Sequence, residues 1–249
     1  MWLKRYDVIF FDLDHTLVDT RGQYKEGLAL SLKEVYGDKA PAGFADKFLR
    51  HHEELWGQYD RREITMQTLR RQRFLLAWRD YGVTKSDDEA DHFHEVYNAT
   101  FEYTLHPFPG VLDLVQTLAV EHRLGIVTNG SPDLQWRKLG IAGLQPYFAQ
   151  DAVIISENIG KAKPHPSVYQ AACEALSVAK QDALMVGDNF AADVQGARNF
   201  GLDALWFLPD PQEPLSALTC TYGETPLLQA AEVGEAISAL EGERKDFPR

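Results

Sequence analysis

Five short runs of consecutive apolar residues punctuate the chain, and each stops at polar or turn-forming residues. They cover residues 8–11 before Asp12, 124–127 before Thr128-Asn129-Gly130, 153–155 before Ser156-Glu157, 183–186 before Gly187-Asp188, and 204–207 before Leu208-Pro209. Unbroken apolar runs of this length, with no alternation, read as strands buried on both faces, which is the mark of a parallel sheet. The segments between them read as helices. Residues 111–121 carry apolar side chains at 111, 112, 114, 115 and 118, residues 167–176 follow Pro164 and Pro166, and residues 191–200 end at Gly201. A glycine just past a helix suits the left-handed residue that closes it. Strands alternating with helices of about ten residues predict a doubly wound α/β fold, with a parallel, Rossmann-like sheet.

One interval breaks the alternation. From about Thr20 to His106 there is no strand pattern, only amphipathic stretches at 24–36, 44–59, 64–81 and 87–103, separated at Gly37, Pro41-Ala42-Gly43 and Gly82. The pattern predicts an all-helical cap domain (20–106) inserted into an α/β core domain (1–19 and 107–249). The proline-bearing stretch 209–226 reads as loop, and residues 227–240 as a last helix before a charged tail.

Composition narrows the function classes. Of 249 residues, 45% are hydrophobic and 25% charged, enough apolar content for a sizeable core. Lys and Arg number 25 against 37 Asp and Glu, a formal charge of −12. That field repels phosphate backbones, so nucleic-acid and anionic-membrane partners are not expected. No stretch approaches the roughly 18 apolar residues of a membrane helix, and the first apolar run is too short for a signal peptide. The two cysteines, Cys173 and Cys220, form neither a disulfide framework nor a zinc pattern, so a cytoplasmic protein is expected.

In a parallel sheet the carboxyl ends of the strands share one edge, where ligands bind. Asp12 and Asp14 follow the first strand, Thr128 and Asn129 the second, Lys163 comes shortly after the third, and Asp188 and Asp193 follow the fourth. Carboxylates converging on one rim repel each other unless a cation neutralises them. A hard divalent ion with oxygen ligands, most simply Mg²⁺, resolves that conflict, leaving a lysine and a hydroxyl to hold a phosphoryl group.

With those residues in view, the chain resembles the haloacid dehalogenase-like (HAD) superfamily over roughly residues 7 to 208. Asp12-Leu13-Asp14-His15-Thr16 is similar to its D-x-D-x-T motif and Thr128 to its second motif. Lys163, within Gly160-Lys161-Ala162-Lys163-Pro164, fits the third, and Gly187-Asp188 through Asp193 fits the fourth, G-D-x4-D. The helical insert is similar to the cap of the subgroup that carries it after the first motif. The resemblance implies a Mg²⁺-dependent phosphomonoester hydrolase. In it Asp12 is the nucleophile forming an aspartyl phosphate, and Asp14 the general acid and then base. Metal ligation is implied for Asp12, Asp188 and Asp193, and for Asp14 through its main-chain carbonyl. Thr128, Lys163 and the amides near Leu13 and Asn129 are implied to hold the phosphoryl oxygens. Lys163 is favoured over Lys161 because it precedes Pro164.

The implied substrate is a small phosphorylated metabolite, a nucleoside monophosphate first, with phosphoglycolate-like and sugar-phosphate branches also compatible. A monomer or homodimer is expected. A 2-haloacid dehalogenase is disfavoured because Asp14 has no leaving alkoxide to protonate there, while a phosphomutase stays open. A non-enzymatic phosphate-binding or phospho-acceptor regulatory protein is the remaining alternative. His15 reads as a spacer. His51, His52, His92 and His94 read as cap packing or surface, Trp56, Tyr59, Trp78, Tyr97, Phe101 and Tyr103 as mostly cap core. Arg61, Arg62, Arg70, Arg71, Arg73 and Arg79 read as a solvated face, or as one or two side chains drawing an anion inward.

Overall fold

The computed structural model describes residues 6–243. The five apolar runs form five strands: β1 (Val8–Phe11), β2 (Arg123–Thr128), β3 (Val153–Ile155), β4 (Ala183–Gly187) and β5 (Asp203–Trp206). They make one parallel sheet in the order β3-β2-β1-β4-β5. β1 is central, with Phe11 opposite Ile126 on one side and Val186 on the other. Every side chain of β1 and β4 is buried. Helices on both faces remove each from water, so a continuous apolar run is the stable choice.

The chain divides into two compact units, one of residues up to Asp19 and from Pro107 on, the other Thr20–His106. The second unit is helical throughout: α1 (Thr20–Tyr36), α2 (Phe44–Asp60), α3 (Met66–Arg79), α4 (Asp87–Ala99) and α5 (Phe101–Thr104), with a short 3₁₀ turn at Gly37–Lys39. Local chemistry sets the ends. Thr65 caps α3 by accepting the Thr68 amide, and Ser86 with Glu89 forms a reciprocal capping box at the start of α4. The expected single helix over 87–103 breaks at Thr100, whose hydroxyl donates to the Tyr97 carbonyl. The interior is aromatic: Phe44, Phe48, Phe74, Trp78, Phe93 and Tyr97 are buried and in mutual ring contact.

Within this unit three of the arginines singled out in the sequence have local partners. Arg61 pairs with Glu63, and Arg71 with Asp87 and Asp91. Arg73 is buried between the Nδ1 atoms of His52 and His94, over the rings of Phe48 and Tyr97. For these three, a helix surface or interior is what the structure shows, and His52 and His94 are packing residues. Tyr103, expected in the cap core, is exposed.

The sheet-bearing unit adds α6 (Val111–Ala119), α7 (Pro132–Ile141), α8 (Ser156–Ile159), α9 (Pro166–Ala175), α10 (Gly196–Phe200), α11 (Leu215–Tyr222) and α12 (Ala230–Glu243). Three expectations change here. The stretch 191–200 is not one α-helix: a π-helical turn, Phe190–Gln195, precedes α10. The supposed loop 209–226 contains α11, which begins directly after Pro214 and packs Tyr222 on Phe190 and Trp206 at 4.6 and 5.3 Å between ring centroids. Proline can start a helix because the first turn needs no internal N–H donor. The last helix begins at Ala230 rather than 227, because Glu232 accepts the amides of Leu228 and Gln229 and closes its first turn. It also runs past 240 to Glu243, and the rest of the expected charged tail, 244–249, lies outside the described residues. Among the described residues, no helix is long and apolar enough to cross a membrane.

Candidate active site

The carboxyl end of the sheet carries the chemistry. Asp12 leaves the tip of β1, its amide donating to Val186 at the end of β4 (2.9 Å). The main chain then turns tightly, with Leu17 and Val18 amides donating to the Leu13 carbonyl, and His15 takes a left-handed φ of 64°.

Asp12, Asp188 and Asp193 each offer a carboxylate oxygen, and these oxygens lie within 4.8 Å of one another. Lys163 is the cation set against them. Its Nζ donates to Asp12 Oδ1 (2.7 Å), Asp193 Oδ1 (2.6 Å) and the Val127 carbonyl (2.5 Å), which uses all three of its protons. Asn129 holds the Lys163 backbone at both ends, accepting its amide at 2.8 Å and donating to its carbonyl at 3.2 Å. Thr16 is fully buried and joins two motifs. Its hydroxyl accepts the Asp188 amide (2.9 Å) and faces Asp188 Oδ1 (3.1 Å) and Asp12 Oδ2 (3.4 Å). The π-helical turn aims Asp193 inward. Asn189 accepts the Ala192 amide, and its own amide donates to Asp193 Oδ2. π-turns inside helices are often found at functional sites, where they re-aim one side chain.

The electrostatics follow from burial. Desolvation pushes the Asp12 carboxyl up to about 7, reinforced by the negative charges of Asp193 and Asp14 and opposed by Lys163. Burial alone pulls Lys163 down, but the carboxylates of Asp12 and Asp193 more than reverse it, so the lysine stays charged. One ammonium faces three carboxylates, and the group keeps an excess of negative charge.

Asp14 lies apart from this cluster. Its carboxylate accepts Lys138 Nζ at 2.5 Å on one oxygen and Gln135 Nε2 at 2.8 Å on the other. Burial pushes it up, yet Lys138 and Gln135 together hold it below the ordinary aspartate value. Gln135 also donates to Thr128 Oγ1 (2.8 Å), which accepts the Gly130 amide as well (3.0 Å). A Cβ on Gly130 would lie 2.1 Å from Gln135 Nε2, so this residue must be glycine for the glutamine to lie there. The structure therefore brings together Asp12, Thr128, Asn129, Lys163, Asp188 and Asp193, places the buried Leu13 between the two aspartates of the first motif, and keeps the Asp14 carboxylate outside the three-carboxylate group. Lys161 is exposed and Lys163 buried, which separates the two lysines of that loop.

Three participants escaped the sequence reading: Thr16 as a bridge, and Gln135 and Lys138 as the partners of Asp14. The signal for the last two was present. Gln135, Lys138, Leu139 and Ala142 recur at helical spacing on one buried side of α7 and just beyond it, so two polar residues occupy a stripe where apolar ones belong.

In a parallel α/β sheet, a carboxyl edge that gathers carboxylates and buried lysines is the place where an enzyme of this architecture binds its ligand. The sequence profile of the haloacid dehalogenase-like hydrolases matches residues 6–201, and the chain belongs to that family. It is similar to the pyrimidine 5′-nucleotidase PynA of Streptococcus pneumoniae, 31% identical over 87% of this chain and 90% of that protein. A glyceraldehyde 3-phosphate phosphatase of Pyrococcus abyssi is also 31% identical, over 80% of each chain. Among solved structures, the HAD-hydrolase YfnB of Bacillus subtilis bound to magnesium superposes with a TM-score of 0.70 at 25% identity, covering 89% of this chain and all of that one.

Proposed function

We propose that the protein is a Mg²⁺-dependent phosphatase of small phosphorylated metabolites, with nucleoside monophosphates the favoured class. The observation that carries this reading is the group of Asp12, Asp188 and Asp193 with carboxylate oxygens within 4.8 Å of one another, Asp12 and Asp193 buried and bonded to Lys163. The donor set is all oxygen and carries excess negative charge, which suits a hard divalent cation. Asp12, Asp188 and Asp193, with the main-chain carbonyl of Asp14, are the residues that would hold it. Such an ion supplies charge neutralisation at the transferring phosphoryl group.

The chain's own residues carry the rest. An Asp12 carboxylate oxygen bonds to phosphorus while the ester P–O bond breaks, and the departing oxygen takes a proton from Asp14. A water oxygen then bonds to phosphorus as the Asp12–phosphoryl bond breaks, and the water's proton passes to Asp14. Lys163, the Thr128 hydroxyl and the amides near Leu13 and Asn129 stabilise the phosphoryl oxygens. Hydrogen bonds to both Asp14 oxygens favour its ionised form, the form that takes the water's proton in the second step. The nucleotidase and sugar-phosphatase names of the relatives support a phosphomonoester, and Asp14 disfavours the dehalogenase reading, since halide leaves without a proton.

A screen of phosphorylated metabolites with Mg²⁺, repeated in EDTA, tests this. Turnover of one or more nucleoside monophosphates that stops in chelator is expected. Undiminished turnover in EDTA removes the metal, and halide release from 2-chloropropionate without phosphate release sinks the phosphatase reading.

A further inference from the structure

We infer that Lys138 and Gln135 are positioning residues that seat the Asp14 carboxylate for the second step, in which water releases the phosphoryl group from Asp12; this rests on the phosphatase reading above. The two side chains are spaced i, i+3 on α7, so one helix face delivers both donors to one carboxylate. Lys138 is 5% exposed, and its one hydrogen-bonding partner among the described residues is Asp14. A buried ammonium is retained only where it is paired, and its pairing here leaves Asp14 with no freedom to turn toward the three-carboxylate group. Gln135 is wholly buried and ties the same carboxylate to the Thr128 hydroxyl at the end of β2. Asp14 is thereby referenced to the residue read as holding the phosphoryl oxygens. A base that must meet a water in line with phosphorus needs that reference, because misplacement of about 1 Å costs on the order of a hundredfold. Nothing in the first step makes the same demand when the leaving group departs unaided.

The experiment compares the two steps with p-nitrophenyl phosphate and Mg²⁺, since p-nitrophenolate needs no proton to leave. In Lys138→Met, kcat should fall about 10- to 100-fold while kcat/KM, which reports formation of the phosphoenzyme, falls by at most about threefold. Phosphoenzyme should then accumulate, seen as a stoichiometric burst of p-nitrophenolate and as acid-stable label on the protein. Lys138→Arg should recover part of kcat. A parallel fall of kcat and kcat/KM without trapped phosphoenzyme, or an unchanged kcat, overturns the assignment. Should Lys138→Met not fold, Gln135→Leu is measured in its place: a fall in kcat alone supports the assignment, and a parallel fall or no change overturns it. Asp14→Asn separates the two readings. If it traps phosphoenzyme and the Lys138 and Gln135 variants do not, only this inference fails. If it traps none, the covalent mechanism fails and the inference with it.

Discussion

Lys163 is the residue on which the rim depends. Its ammonium is surrounded by Asp12, Asp193 and a carbonyl, all within 2.7 Å, so removing the charge leaves two buried carboxylates facing each other. Lys163→Met should therefore destabilise the protein by about 3–5 kcal/mol, the usual cost of leaving buried charge uncompensated, and chemical denaturation in EDTA measures it. Added Mg²⁺ should restore part of that loss, which a purely steric defect would not allow. Asp12→Asn should do the reverse. Burial already disfavours this carboxylate, so a neutral amide leaves stability in EDTA equal or higher while turnover falls by about 10³-fold or more, as for loss of a covalent nucleophile. A well-folded variant that keeps more than a few per cent of activity would remove Asp12 as the nucleophile. At this scale the sequence exposed most of the site. Asp12 and Asp188 sit at strand ends, where polar residues stand out against apolar runs, and Asp193 follows in the turn after β4. Lys138 was overlooked because a lysine on a helix reads as solvated by default, and its place on the buried stripe of α7 is what tells otherwise.

The elements explain why the trio holds its spacing. Asp193 is carried by the π-helical turn, and β4 ends in Gly187 directly beneath it. A Cβ at Gly187 would lie 2.4 Å from Asp193 Cγ, closer than packed atoms approach. Gly187→Ala should displace Asp193 from Lys163 and from its place beside Asp12. The expected result is a loss of about 1–3 kcal/mol, typical of an overpacked interior, together with weaker Mg²⁺ binding by calorimetry. Unchanged Mg²⁺ affinity would show that Asp193 is not held by this glycine. The turn itself was not legible, because an apolar pattern over 191–200 fits a continuous helix equally well. What shifts it is a side-chain matter: Asn189 takes the Ala192 amide, and Asp193 turns to the lysine. The short helix Leu215–Tyr222 was missed for the opposite reason, since four prolines within 209–226 outweighed a brief apolar stretch. The central strands β1 and β4 were legible because a strand buried on both faces has little freedom in composition. The half-buried edge strands β3 and β5 were legible because they too are short apolar runs ending in polar or turn residues.

For the whole molecule, the net charge of −12 gains a local counterpart: the negative charge concentrated at Asp12, Asp188 and Asp193 beside Lys163 is what the proposed divalent cation would read. Proton and metal then compete for the same carboxylate, and the direction is fixed by linkage. Unfolded, Asp12 titrates near its ordinary value of 3.8; folded and metal-free, it titrates near 7. Between these the native state holds a proton that the unfolded chain has lost, so this group's contribution is fully present below about 4 and disappears as pH rises through about 7. Asp14 behaves oppositely. Its folded value is lowered, so its contribution is present above its unfolded value and lost only in more acid solution, outside the window in which Asp12 changes. On the proposed function, Mg²⁺ would have to displace the Asp12 proton to bind. The rise in Tm on adding Mg²⁺ should therefore be small near about pH 5 and grow to several degrees near about pH 8, each kcal/mol of binding linkage being worth about 2–4 °C for a chain of this size. Thermal scans in Mg²⁺ and in EDTA across that range measure the difference directly, and Asp12→Asn should flatten it. A Tm rise of equal size at every pH would mean that the cation binds away from Asp12, and the trio would then be a structural ion-pair network around Lys163.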